Sequence, residues 1–398
     1  MADQKLPRQV NERRVLSLLR MHGALTRAEI ARRLALTRAT ITYVVDDLIG
    51  RELVIEDKTL SKKKSASEVG RPGINVHISP NGGYYLGVEI GVGIIRFALI
   101  DLTVTVVSQL AVECSPQITP EEVLDLICAH YAELNGSERF KGRIRAIGFT
   151  VPGLVRNDGF IVHLPILGWK GINILGMAEQ RLPVPLTVEN NANAAAFGEV
   201  YSRSSMVRDA VIYLKIGTGC GGASIINGRL LRGTMGTATE FGHLRISADG
   251  AECGCGRVGC LEPRVNLAAL HAAFDPHTPY STQRLRALPA QLAEMATGGD
   301  ARAIRAIDVV AASLEQGLVT LINIFNPRSV LLGGSMRPVI EYLLPRLRTY
   351  VGSEVVPGMF VPDIRLSHLG DMECAIGAAS LVHNNDMDIS NLELTASV

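Results

Sequence analysis

The chain has 398 residues, of which 47% are hydrophobic and 20% charged, the balance of a folded protein of two or three domains rather than a disordered one. No uninterrupted apolar run of about 18 residues is present, and Met1 to Arg14 is polar and charged, so neither a membrane span nor a secretory signal is expected and the protein is assigned to the cytoplasm. The net charge of +1 hides an asymmetry: residues 1–73 carry 15 Lys and Arg against 9 Asp and Glu, and the remainder carries 25 against 30. A basic front on a mildly acidic body points to a nucleic-acid-binding head joined to a body with another task.

Three apolar-periodic segments open the chain. The first runs from about Asn11 to Met21, with Val15, Leu18 and Leu19 on one face, and stops at Gly23. The second begins at Thr26, where Thr-Arg-Ala-Glu has the capping-box spacing and Ile30 and Leu34 turn inward. The third is capped by Thr37 and runs to about Gly50, with Ile41, Val44, Val45 and Leu48 as its buried stripe. Leu53–Ile55 and Ile74–Ile78 read as two returning strands. Between them lies a charged, glycine-containing wing or linker with Lys62–Lys64 and Gly70-Arg71-Pro72. Residues 1–78 are therefore read as a winged helix-turn-helix.

The buried stripe of the third helix leaves Arg38, Ala39, Thr42, Tyr43 and Asp46 outward. Thr37, Arg38, Thr40, Thr42 and Tyr43 are the candidate DNA contacts. Arg38 suits a bidentate pair with guanine, the hydroxyls suit phosphates or bases, and a helix N-terminus itself attracts phosphate. Asp46 and Asp47 weigh against contact by the later half of the helix. A single head of this size covers little DNA, so a homodimer or tetramer on a palindromic double-stranded operator is expected.

From Tyr84 onward, strand-like runs (Tyr84–Val88, Ile94–Ile100, Ala146–Phe149, Ala210–Ile216, Ser329–Leu332) alternate with helical stretches and glycine-rich turns, the texture of an α/β fold. Its length suits two lobes, over residues 79–385, with a polar tail at 386–398. Of the seven cysteines, three fall together: His243 is followed by Cys253, Cys255 and Cys260. One imidazole and three thiolates suit a tetrahedral Zn²⁺, and four protein ligands leave no open position, so the metal is expected to be structural. Gly254, Gly256 and Gly259 let the backbone close around it.

Several stretches resemble the signature of the ROK family (repressors, open reading frames and kinases). They are Glu240-Phe-Gly-His243 with Cys253-Gly-Cys255 and Cys260-Leu-Glu262, Val151-Pro-Gly-Leu-Val155, Gly168-Trp169, Val188-Glu-Asn-Asn-Ala-Asn-Ala194, Gly217–Gly222, Leu331–Gly334 and Ile376–Ala379. The winged head and the Gly70-Arg71-Pro72 linker are similar to its repressor branch. The resemblance implies an actin-like, hexokinase-like fold of two α/β lobes with a sugar in the cleft. It also implies sugar contacts at Asn190, Asn191, Glu240, His243 and Glu262, so that His243 serves zinc through one ring nitrogen and sugar through the other. Kinase members carry Asn-Asp where this chain has Asn190-Asn191, and an amide cannot act as the general base for phosphoryl transfer. The first phosphate loop is altered as well, to Glu89-Ile-Gly-Val-Gly93. The expectation is therefore a DNA-binding transcriptional regulator, a repressor of carbohydrate genes released by a sugar or sugar phosphate, and not an enzyme, given the lost base; the alternative is an ATP-dependent sugar kinase with an accessory head. Lys170 and Lys215 are candidate phosphate contacts, and Trp169 is either a core residue or a stacking surface for a sugar ring.

Overall fold

The computed structural model describes residues 5–57, 73–156, 158–203, 206, 209–279 and 286–387. The head contains α1 (Lys5–His22), β1 (Leu25–Thr26), α2 (Arg27–Leu34), α3 (Arg38–Gly50), β2 (Val54–Asp57) and β3 (Asn75–Ile78). Thr26 forms the full capping box with Glu29, and the Thr37 side chain accepts from the Thr40 amide, so both expected helix starts are present. Helix α1 begins well before Asn11, in a stretch without apolar periodicity. Arg8 is held there by Glu12 one turn on and by Asp47 of α3. The strands pair antiparallel in the order β1-β3-β2. Lys62–Lys64 and Gly70-Arg71-Pro72 lie outside the described residues.

The first lobe comprises β4 (Tyr84–Gly91), β5 (Ile94–Asp101), β6 (Val106–Glu113), α4 (Pro120–Gly136) and β7 (Ile144–Val151). A small antiparallel sheet follows, of β8 (Leu154–Val155), β9 (Ile161–Leu164) and β10 (Trp169–Ile172). Then come α5 (Ile174–Glu179), β11 (Leu186–Asn190) and α6 (Asn191–Tyr201). The second lobe has β12 (Val211–Ile216), β13 (Cys220–Ile226), β14 (Arg229–Leu230), α7 (Glu262–Val265), α8 (Leu267–Phe274), α9 (Leu288–Thr297) and α10 (Ala301–Phe325). It ends with β15 (Ser329–Gly333), α11 (Arg337–Glu354) and β16 (Asp363–Leu366), and the last element is α12 (Glu373–Met387).

Both lobes use one plan. The sheets run β6-β5-β4-β7-β11 and β14-β13-β12-β15-β16. In each, three consecutive strands pair antiparallel and two later ones add in parallel beyond the first. This duplicated α/β arrangement is the two-lobed fold expected, and each lobe buries its own apolar core.

Helix α12 crosses back to the first lobe and lies against β4, β7 and α6. The approach is backbone to backbone: a Cβ on Gly87 would fall 1.8 Å from the Ala375 carbonyl oxygen, and one on Gly377 would fall 2.0 Å from that of Ala194. Helix α6 also packs on the second sheet through Tyr213, Ala223 and Ile225, so it forms a layer between the lobes. The segment read as a tail begins later than expected. Helix α12 runs to Met387, and Asp386 accepts from Tyr85 and Arg145. Helix α10 has the length and hydropathy (1.4) to cross a membrane, unlike the expectation from apolar runs, and half of it is buried in the second lobe. Charged residues interrupt it at Arg302, Arg305, Asp308 and Glu315, which is why no continuous run marks it.

Candidate ligand site, metal centre and nucleic-acid interface

A recess opens where the end of β11 and the start of α6 face the second lobe. Gly153, Asn190, Asn193, Gly221, Gly222 and Glu240 line it, with Gly236, Thr237 and Ala238 on one rim. It holds about 280 Å³ of unfilled space counted out into open solvent, and its enclosed part admits about one water at most. A sugar therefore requires the walls to part.

Asn190 is the N-cap of α6. Its Oδ1 accepts from the amides of Ala192 and Asn193, and its Nδ2 donates to Gly153 O at 2.9 Å. Asn191, the first helical residue, is buried, and its Oδ1 has no partner among the described residues. It does not line the recess in this arrangement. Asn193 does, and its Nδ2 donates to Glu189 Oε1 at 3.0 Å. Glu189 also pairs with Arg232, which ties the 231–239 loop of the second lobe to the strand leading into α6. Asn193 and the Glu189–Arg232 pair were missed in the sequence reading, although two of the three stand inside the Val188–Ala194 motif. The signal was the spacing of Asn190 and Asn193, one turn apart at a helix start.

Glu240 precedes a 3-10 turn over Phe241–His243 and lies 3.9 Å from His243 Nε2. Burial in the recess and the nearby Glu262 push its carboxyl up to about 7, while its outer edge stays in solvent. Glu262 accepts from the Cys220 amide at 2.9 Å, which locks it under the Gly217–Gly222 loop. His243 Nδ1 points away from Glu240 and sits 3.4 Å from Cys253 Sγ; Cys255 Sγ and Cys260 Sγ are 3.8 Å apart. All four ligand atoms lie within 4.8 Å of one another, a cluster able to hold a metal ion. Gly259 makes the knuckle possible: its φ is +87°, and a Cβ there would meet the Ser247 carbonyl oxygen at 2.0 Å.

The altered Glu89–Gly93 stretch is tied to the second lobe. Arg286 of the second lobe donates to the carbonyls of Val92 and Gly93 at 3.1 and 2.8 Å. Lys215 on β12 lies 3.5 Å from Glu89 and 3.9 Å from Glu373, and Arg96 approaches Glu89 from the other side. Burial raises the Glu373 carboxyl, against the pull of Lys215 and the Tyr213 hydroxyl that donates to it. Lys215 thus stands between two carboxylates. Lys170 is exposed on β10. Trp169 is a core residue, donating to Ile118 O at 3.0 Å.

On the head, Arg38, Ala39, Thr42 and Tyr43 are exposed as a strip along the first half of α3, and Ile41, Val44, Val45 and Leu48 are buried. Thr37 and Thr40 hydroxyls bond each other at 2.8 Å. Arg8 stacks on Tyr43, 5.4 Å from the ring centre. Asp46 pairs with Arg27, and Asp47 with Arg8 and Arg51. The two acids that weighed against DNA contact are neutralised within the head.

A helix-turn-helix with a returning strand pair, set in front of two lobes that share a polar recess, is the plan of a ligand-responsive transcription regulator. The chain belongs to the ROK family, whose sequence pattern matches residues 85–385; that of the MarR family matches residues 5–59. It is 29% identical to the xylose repressor of Bacillus spizizenii over 392 residues, covering 98% of each chain. The crystal structure of a ROK family transcriptional regulator, a homolog of the E. coli MLC protein, superposes with a TM-score of 0.78 at 23% identity over 98% of both chains. A ROK family glucokinase from Streptomyces griseus, in complex with glucose and AMPPNP, superposes with a TM-score of 0.63 at 30% identity, over 75% of this chain and 99% of its own. Relatives of this body thus include both regulators and kinases.

Proposed function

We propose that this protein is a transcriptional repressor whose hold on a double-stranded operator is released by a monosaccharide bound in the recess between its lobes. The observation that carries the reading is the joining, in one chain, of an intact reading head to a sugar-kinase-like recess with Asn191 at the position of the base. An amide takes up no proton from an attacking hydroxyl, and Lys215 and Arg286 are bonded to the neighbouring Glu89–Gly93 stretch, which supports sensing without phosphoryl transfer. Thr37, Arg38, Thr40, Thr42 and Tyr43 form the DNA-reading set. Asn190, Asn191, Glu240, His243 and Glu262, joined by Asn193, form the sugar-reading set.

The recess favours a free sugar over its phosphate ester. It presents the Glu240 carboxyl with Glu262 behind it, and the nearby Arg232 is already paired with Glu189. Zn²⁺ suits the knuckle: tetrahedral coordination at Zn–S of about 2.3 Å sets S···S edges of about 3.8 Å and S···N edges of about 3.5 Å, against 3.8 and 3.4 Å between the ligand atoms. His243, Cys253, Cys255 and Cys260 would hold it, and the ion would fix the imidazole whose other nitrogen faces Glu240. Two heads are needed for a palindromic site, so the working form is a homodimer in the cytoplasm.

Calorimetry with D-xylose, D-glucose and their phosphate esters, alongside mobility shift on DNA from upstream of its own gene, tests this. Binding of a free sugar that weakens the DNA complex is expected. Failure to bind DNA under any condition overturns the repressor reading, and turnover of ATP with either sugar overturns the exclusion of kinase activity.

A further inference from the structure

The reading head does not hang freely from the body. Its apolar core continues into the first lobe through Tyr85, Ile100, Leu102 and Ala146, and into α12 through Ala379, Val382 and Met387. One face of α1 supplies the polar part of this seat. Arg13 and Arg20 stand seven residues apart, two helical turns on one side. Asp386, near the end of α12, is held below its ordinary range, against its burial, chiefly by Arg145, and Arg13 adds a smaller pull from α1. Arg20 lies over the ring of Tyr201, 4.2 Å from its centre.

Tyr201 is the last residue of α6, and at the other end of the helix the Asn190 cap and Asn193 in the first turn line the recess. Every residue of this helix is buried. The Tyr201 hydroxyl donates to His383 Nδ1 at 2.7 Å, and His383 Nε2 donates to the Leu102 carbonyl at 3.1 Å, so the ring is pinned to α12 and to the end of β5. The close contact of Gly377 with Ala194 leaves α6 and α12 no room to slide independently.

We propose that Arg20 is the positioning residue through which the recess and the reading head sense each other, with α6 as a lever of about 16 Å between them. This rests on the sensor reading given above. Parting the recess walls displaces the Asn190 cap and the first turn of α6. A rigid, fully packed helix carries that displacement to Tyr201, and Arg20 transfers it to α1, which braces α3 through Arg8 and Asp47. The physical requirement is a two-state element that both sites bias, and the α6–α12 block between the sheets is the element assigned that part in the proposal.

Hydrogen–deuterium exchange on the full chain tests the lever without any sugar. In Arg20→Gln, the amides at the start of α6 (residues 192–195) are expected to exchange faster by roughly 2- to 30-fold, the range a partly desolvated cation–π contact permits. Tyr201→Leu is expected to give the same remote change, and the double variant no more than either alone. Protection changes confined to α1 and the surroundings of Tyr201 overturn the proposal. A second arm adds D-xylose. If it alters α1 exchange in the unmodified protein, Arg20→Gln is expected to abolish that response, and retention of the response overturns the lever. If D-xylose has no effect while the remote change appears, the lever stands and the choice of this sugar falls.

Discussion

Replacing Lys215 by Met is the most informative single perturbation of the body, because it strips the only ammonium from a cluster that joins the lobes. At an effective dielectric constant of about 20, each of its two carboxylate contacts is worth about 4–5 kcal/mol in gross attraction, at the separations of 3.5 and 3.9 Å. Desolvation of the ions offsets several kcal/mol of this, and breaking a buried pair costs about 3–5 kcal/mol net. Since 23% of the Lys215 side chain still meets solvent, the expected loss is at the lower end, about 2–3 kcal/mol. Glu89 and Glu373 would remain buried beside each other with Arg96 as the sole cation. Adding Glu373→Gln removes one of the stranded charges and should restore part of the loss, a coupling of about 1–2 kcal/mol. Urea unfolding reports this directly: far-UV dichroism follows the whole chain, and the single tryptophan, Trp169, follows the first lobe. A loss below about 1 kcal/mol for Lys215→Met, or strict additivity in the double variant, would refute the reasoning that the cluster is a buried ionic joint.

Burial pushes the His383 imidazole down to about 4, whereas an unfolded histidine titrates near 6.5. Between those values the unfolded chain binds the extra proton, so stability should fall by up to about 1.4 kcal/mol per pH unit on acidification and be recovered above pH 6.5. Arg20, Arg145 and Asp386 face this ring and enter the balance. His383→Gln should flatten the slope relative to the unmodified protein, and equal slopes in urea midpoints would count against a neutral buried ring. With Zn²⁺ in the knuckle as proposed, a chelator, or Cys260→Ser, should lower the melting temperature and weaken sugar binding together, because the same knuckle would orient His243; melting scans and calorimetry on one preparation check this. Arg38→Ala should cost about 1–3 kcal/mol on the preferred operator and relax the choice of one base pair, whereas a uniform loss on all DNA would make it a phosphate contact. On the proposed reading, Asn191→Asp alone should not create ATP turnover, since the altered Glu89–Gly93 stretch stays bonded to Arg286 and Lys215, and a coupled assay showing sugar-dependent turnover would contradict that.

Much of this arrangement was legible beforehand because it is local. Thr26 with Glu29 and Thr37 with Thr40 advertise their caps within three residues, and the knuckle announces itself in the spacing of Cys253, Cys255 and Cys260. What stayed hidden is made by contacts across hundreds of residues. Asp46 looked like an obstacle to DNA until Arg27 was seen beside it, and Lys215 looked like a free cation until Glu89 and Glu373 closed on it. Arg232 carries no motif at all. Asn191 stands in a conspicuous run, yet its side chain is turned into the interior in this arrangement, which the order of letters does not encode.

The return of α12 to the first lobe also sets an order of events during synthesis. Strand β4 emerges from the ribosome long before the helix that covers it, and the winged head emerges earlier still. All of the head's own elements, up to β3, are made early. Its seat cannot form until Ala379, Val382 and Met387 arrive, because they are part of that seat. A partly made chain therefore carries a reader without its seat, and the coupling proposed above is installed last.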